Sequence, residues 1–109
     1  LTWSLGRTVL VGDAAHGMPP FMAQGANQGL EDALVISTQI SKIAQNNNWD
    51  NMQAITESFE IYEKYRRPFM EYIQHATLTR FPLSSDELSH QYSQKVYCRN
   101  FDSAIGVML

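Results

Sequence analysis

The sequence predicts a mostly α-helical unit hung on one short buried strand, as a portion of an α/β fold would be. Three observations predict it. Residues 8–11 are a continuous apolar run with Gly6 before it and Gly12 after it, and two long segments, 25–45 and 51–80, carry apolar side chains near a 3.6-residue period. Unbroken apolarity in a short β-rich run implies cover on both faces, as in a sheet flanked by helices.

The bulk composition bounds what such a unit can be. With 109 residues, 44% hydrophobic and 17% charged, the chain suits one small soluble core. Eight basic against eleven acidic side chains give a formal charge of -3, and the basic residues form only short clusters such as Arg66-Arg67, so no nucleic-acid surface is expected. Cys98 is the single cysteine, which excludes an intramolecular disulfide, suits a reduced cytoplasmic setting and reads as a packing residue. No apolar run reaches the roughly 18 to 20 residues of a membrane span, and no basic segment followed by an apolar one opens the chain.

Taken in order, the strand at 8–11 (Thr-Val-Leu-Val) ends in Gly12-Asp13, and Gly12, Gly17, Pro19 and Pro20 then predict an irregular loop up to Gln24. The first helix is expected over 25–45, with Ala26, Leu30, Ala33, Leu34, Ile36, Ile40, Ile43 and Ala44 as its apolar stripe. A polar turn follows, in which Asp50 or Asn51 is placed to cap the next helix. That helix is expected over 51–80, with Ile55, Phe59, Tyr62, Met70 and Ile73 among its apolar positions and a disturbance at Pro68. Ser84-Ser85-Asp86-Glu87 is a capping segment for a short helix near 88–97, and the apolar ending 104–109 suits a buried terminal segment or a chain cut mid-domain. The chain therefore divides into residues 1–83 and a tail, 84–109, of uncertain structure.

Chemistry concentrates in residues 12–27. Gly12 permits a sharp turn at the strand end, and Asp13 presents a carboxylate where open α/β sheets place their ligands. Such a carboxylate accepts charge-assisted hydrogen bonds from hydroxyls. Gln24, Gly25, Ala26 and Asn27 stand at the start of the first long helix, where backbone N–H groups lack intrahelical partners and the dipole is positive. Gly25 and Ala26 leave room for a flat ligand, while Pro19 and Pro20 stiffen the approach. Any one of these features alone is an ordinary turn or helix start. Their fixed order after an apolar strand is what singles them out.

In that order the segment resembles the single-component FAD-dependent monooxygenases, the aromatic hydroxylase and epoxidase family. The match lies in Gly-Asp-Ala-Ala-His at 12–16, Pro19-Pro20, Gln-Gly-Ala-Asn at 24–27 and Glu-Asp-Ala at 31–33, which together resemble the family's second FAD-binding motif. A weaker, compositional likeness runs through Tyr62-Glu63-Lys64-Tyr65-Arg66-Arg67-Pro68 and Ile73-Gln74. The resemblance implies a Rossmann-like FAD-binding α/β fold in the parent enzyme, FAD as cofactor, NAD(P)H as electron donor, and oxygen transfer to a small aromatic or apolar substrate through a flavin hydroperoxide. It further implies that Gly12, Asp13, Pro20, Ala23, Gln24, Gly25, Ala26 and Asn27 contact FAD, Asp13 on the ribityl chain and residues 23–27 along the isoalloxazine edge. A reductase or halogenase of the same fold shares the motif. A non-catalytic remnant or helical interaction module is the alternative from a different class.

No Gly-x-Gly-x-x-Gly follows a strand in these residues, although the family places one near its N-terminus for the FAD pyrophosphate. The expectation is a C-terminal portion of the FAD-binding unit, partnered by a missing N-terminal portion and inactive alone. No catalytic residue is assigned. His16 has no partner evident in the sequence and reads as structural or solvent-facing; His75 and His90 are isolated, so no metal site is expected. Glu31 and Asp32, being adjacent, should occupy different helix faces as charges near a positive helix start, and Arg66-Arg67 should form a solvated or salt-bridged face. Trp3 and Trp49 read as packing residues.

Overall fold

The computed structural model describes residues 1–20 and 23–98, so the expectation for 104–109 lies outside the described residues. Strands β1 (Ser4–Leu5) and β2 (Thr8–Val9) pair antiparallel with Ser4 opposite Val9, across a turn in which Gly6 takes φ 58°. That positive φ is cheap for glycine and costly for other residues, which places the reversal there.

The single buried strand expected at 8–11 is therefore corrected. Only Thr8 and Val9 are strand, Thr8 is exposed, and Leu10 has already left the ladder, its N–H donating to the Trp3 carbonyl at 2.8 Å. Among the described residues the ladder partner of β2 is Ser4–Leu5, and the hairpin so formed lies on the second long helix described below. The loop is also shorter than expected, because one turn of helix, α1 (Asp13–His16), follows Gly12.

Helix α2 (Gly25–Gln45) occupies the expected residues. Helix α3 (Met52–Thr79) begins at Asn51, whose side chain accepts a hydrogen bond from the Ala54 N–H, and ends at Arg80 in the left-handed conformation, φ 54°. The expected disturbance at Pro68 does not break it. Lys64 and Pro68 are both exposed, so the hydrogen bond that proline cannot make is lost on the wet side of the helix. A 3-10 turn (Phe81–Leu83) leads to α4 (Asp86–Val96), whose cap is the Ser85 hydroxyl, accepting from the Leu88 N–H.

The core lies along α3. Trp3, Val35, Tyr62, Met70, Ile73 and Tyr92 pack together, while Ile43, Ile55 and Phe59 form a second cluster between α2 and α3. The hairpin is fastened to α3 by the Trp3 N–H donating to Glu63, by the Tyr62 hydroxyl donating to the Leu10 carbonyl, and by the Trp3 ring against Tyr62.

The assembly is thin. Its extents are 51 × 28 × 17 Å and its Cα radius of gyration is 15.4 Å. A compact domain of this length would have a radius near about 13 Å. No helix among the described residues is long and apolar enough to cross a membrane.

Candidate functional site

The hairpin delivers the chain to Gly12, whose φ of 66° and ψ of -139° suit glycine and strain any L side chain. Its N–H donates to Asp32 Oδ2 at 3.0 Å, and its carbonyl accepts the N–H groups of Ala15 and His16, each at 2.9 Å. Asp13 begins α1 and is exposed. The start of α2 lies directly against this turn: a Cβ placed on Gly25 would stand 3.8 Å from Asp13 Oδ1, and one on Gly29 would stand 3.8 Å from Gly12 Cα. The Asp13 carboxylate thus sits at the positive end of a 21-residue helix.

The approach to α2 completes the corner. Ala23 takes φ 54°, and its N–H donates to the Pro20 carbonyl at 3.0 Å. A non-glycine residue in that region costs about 1–2 kcal/mol, so the surrounding structure holds it there. Pro20, Ala23, Ala26 and Asn27 are exposed, and Gly25 is half-buried. No side chain caps the first turn of α2. Gln24, at the N-cap, turns its side chain inward, donating from Nε2 to the Tyr97 hydroxyl at 2.8 Å and accepting from Gln28 Nε2 at 3.1 Å. Of the eight residues singled out in the sequence, Gly12, Asp13 and Gly25 meet at the turn, and Pro20, Ala23, Ala26 and Asn27 are exposed at or before the start of α2. The Gln24 side chain is committed to the interior.

Behind this corner lies a buried polar network that sequence reasoning missed. Asp32 is fully buried, its Oδ2 shared by the Gly12 N–H and His16 Nε2, its Oδ1 accepting from Arg66 Nε at 2.7 Å. Arg66, also fully buried, donates from Nη1 to Glu31 at 3.0 Å and from Nη2 to Gln28 Oε1 at 2.7 Å and the Gln28 carbonyl at 3.2 Å. Burial pushes the Asp32 carboxyl upward. The hydrogen bonds from His16, Arg66 and Gly12, with the Arg66 charge, outweigh it and hold the group below the ordinary aspartate value. The Tyr62 hydroxyl is raised above its ordinary range by burial first and by the Asp32 charge second.

Three expectations are narrowed here. Of the two readings expected for His16, structural or solvent-facing, the structural one holds, with a carboxylate partner the sequence did not reveal: His16 is buried, bonded to Asp32 through Nε2, and packed 5.7 Å from the Trp3 ring, while its Nδ1 has no partner. Glu31 and Asp32 do stand on different sides of α2, but both reach Arg66 because its guanidinium spans the gap between them. Arg66 and Arg67 are both salt-bridged, one of the two readings expected, but Arg66 pairs in the buried interior with Glu31 and Asp32, whereas Arg67 pairs at the surface with Glu63 and Glu71 at i,i+4 spacing. The available signal was the polar spacing Gln28, Asp32, Gln39 on α2, which tracks one helix side as well as the apolar set does. Cys98, read as a packing residue, is exposed, and Trp49 is 45% exposed while Trp3 is buried. Among the described residues no group of three or more His, Cys, Asp or Glu side chains could hold a metal ion.

The sequence model of the FAD binding domain family matches residues 2–77. The chain belongs to that family. The match spans the hairpin, the Gly12 turn, α2 and all but the end of α3, so the network lies wholly inside the family's unit. Similar curated proteins include an FAD-dependent monooxygenase of a Nectria species, 36% identical over 75 residues, covering 69% of this chain and 16% of that protein. Another, from Penicillium crustosum, is 41% identical over 68 residues, 62% of this chain and 15% of that protein. A kynurenine 3-monooxygenase of Debaryomyces hansenii is 31% identical over 101 residues, 93% of this chain and 19% of that protein. The chain thus spans less than a fifth of the length of each of these relatives. No solved structure matches.

Proposed function

We propose that this chain is the flavin-contacting portion of an NAD(P)H-using FAD monooxygenase, one that hydroxylates or epoxidises a small aromatic or apolar substrate. The remainder of the enzyme, including the N-terminal portion of the same FAD-binding unit, would lie outside these residues. One observation carries the reading: the exposed Asp13 carboxylate and the uncapped start of α2 meet at a single corner, within the matched family segment. The names of the three relatives support the reaction class.

The corner fits a flavin on physical grounds. Asp13 is free in the direction of solvent to accept a hydroxyl hydrogen bond, and the first-turn amides of α2 favour negative charge on a ligand edge. At Gly25 an added Cβ would meet only the Asp13 carboxylate, so a flat ring can approach the backbone there. Bound FAD would supply the electron transfer and the oxygen chemistry. The protein's part is to hold and orient: Gly12, Asp13, Pro20, Ala23, Gly25, Ala26 and Asn27, with the backbone of Gln24, form the contact rim, and Asp32 with Arg66 fixes the Gly12 turn against α2 and α3.

In the complete enzyme, Asp13→Ala should weaken FAD binding by roughly ten- to a hundredfold, the worth of a charge-assisted hydrogen bond of about 1.5 to 3 kcal/mol, without unfolding the protein. Equilibrium titration of the apoprotein measures this. An unchanged FAD affinity in the folded variant removes Asp13 from the site.

A further inference from the structure

Helix α2 is built inside out for a chain of this size. The side packed on α3 carries Gln28, Asp32, Thr38 and Gln39 beside Val35 and Ile43. The opposite side exposes Ala26, Leu30, Ala33, Leu34, Ile40 and Ala44, with Leu30 at 71%, Leu34 at 45% and Ile40 at 42%. Ala26, Leu30, Ala33, Ser37, Ile40 and Ala44 follow one another in alternating steps of four and three residues, and Leu34 lies four beyond Leu30, which keeps the set on one side for the length of the helix. This side carries no charge: Glu31, Asp32 and Lys42, the charged residues of α2, fall elsewhere around the helix. The Ser37 hydroxyl donates to the Leu34 carbonyl at 2.8 Å, so it too is turned onto the helix itself.

We propose that this uncharged side of α2 is a packing seam, covered in the native enzyme by an aliphatic layer from the remainder of the FAD-binding unit. The proposal rests on the reading of the chain as part of a longer flavoprotein. Two independent facts select that occupant. Among the described residues α2 is covered by α3 on one side only, while Leu30, Leu34 and Ile40 on the other side stay exposed, whereas domains bury apolar faces between packed layers. The curated relatives are also far longer than this chain, which covers 16% and 15% of the first two, so ample chain exists in such proteins to supply the second layer. Ala26, Ala33, Ser37 and Ala44 run down the middle of the seam and let that layer approach the helix closely, while Leu30 and Leu34 on one side and Ile40 on the other supply the apolar area. Gly12 and Asp13 lie at the end of α2 where this seam begins, so the layer that covers it also walls the flavin corner.

The test is made in the full-length flavoprotein. Leu30→Lys with Leu34→Lys should lower the thermal midpoint by about 10 °C or more, since two ammonium groups would be forced into an apolar layer. Gln94→Lys, at an exposed position of α4, should leave it within about 2 °C. A double variant whose midpoint matches that of Gln94→Lys overturns the proposal. If the double variant does not fold, Ala33→Cys in a Cys98→Ser background gives a second measure, with alkylation of residue 33 followed by mass spectrometry. Protection of at least about tenfold relative to the unfolded protein is expected, and reaction at the unfolded rate overturns the seam. Light scattering tests the other occupant: a parent dimer that Leu30→Lys with Leu34→Lys converts to a monomer of unchanged midpoint would mean that a second copy covers the face, and the proposal fails. A full-length protein that holds no FAD would sink the flavin reading while leaving the midpoint and alkylation tests intact.

Discussion

On one side of α2, Asp32 and Gln28 are buried against Arg66 of α3; on the other, Leu30 and Leu34 stand in solvent. Hydrophobicity alone would have assigned these sides the other way round. The polar side is inside because its groups satisfy one another: Asp32 takes three donors, and Arg66 gives to Asp32, Glu31 and Gln28. A buried polar set of this kind specifies one register between α2 and α3, since a shift by a single residue would strand a charge in the interior. The apolar side has no comparable set of partners among the described residues, where Leu30, Leu34 and Ile40 are exposed.

The contrast can be broken most forcefully at Arg66. Replacing it by methionine leaves Asp32 buried without its cation and should cost about 3–5 kcal/mol in urea unfolding, a large part of the stability of a small domain. A loss under 1 kcal/mol would mean that the network is incidental. A smaller effect follows from acid. The folded Asp32 value is below the ordinary 3.8, so the stability it contributes is complete above that ordinary value and is lost as pH falls through the folded one. Acid unfolding should therefore steepen below about pH 4, and Asp32→Asn should flatten that part of the profile while lowering stability at neutral pH. The smallest effect belongs to the other side of the helix. In this chain by itself, Leu34→Gln should change stability by no more than about 0.5 kcal/mol, because the side chain covers little there.

The ends of the helices were legible, and the side of α2 that faces inward was not. Gly25 as a start, Asn51 and Ser85 as caps, and the polar turn after Gln45 are local signals, carried by residues within one turn of the boundary they mark. Burial of Asp32 depends on His16 and Arg66, 16 and 34 residues away, and one sequence holds no trace of that pairing. The apolar period read from 26 to 44 is real, but period alone does not say which layer it faces. The hairpin leaves no mark in the sequence because two-residue strands show no alternation, and the effect of Pro68 depends on the exposure of Lys64, which a one-dimensional pattern does not carry. At the candidate site, Gly12, Asp13 and Gly25 were legible as a turn and a helix start. The inward turn of Gln24 was not, because its partner, Tyr97, lies 73 residues further on.

That these residues hold one edge of a flavin, and only one edge, is tested most directly by titrating FAD fluorescence with this chain alone and with the full-length enzyme. The proposed contact rim at Gly12 and the start of α2 offers one helix end and no second one for the pyrophosphate, so the chain alone should bind more weakly than about 10 μM, and the full-length protein below about 1 μM. Sub-micromolar binding by the 109 residues alone, or no FAD binding by the full-length protein, would contradict it.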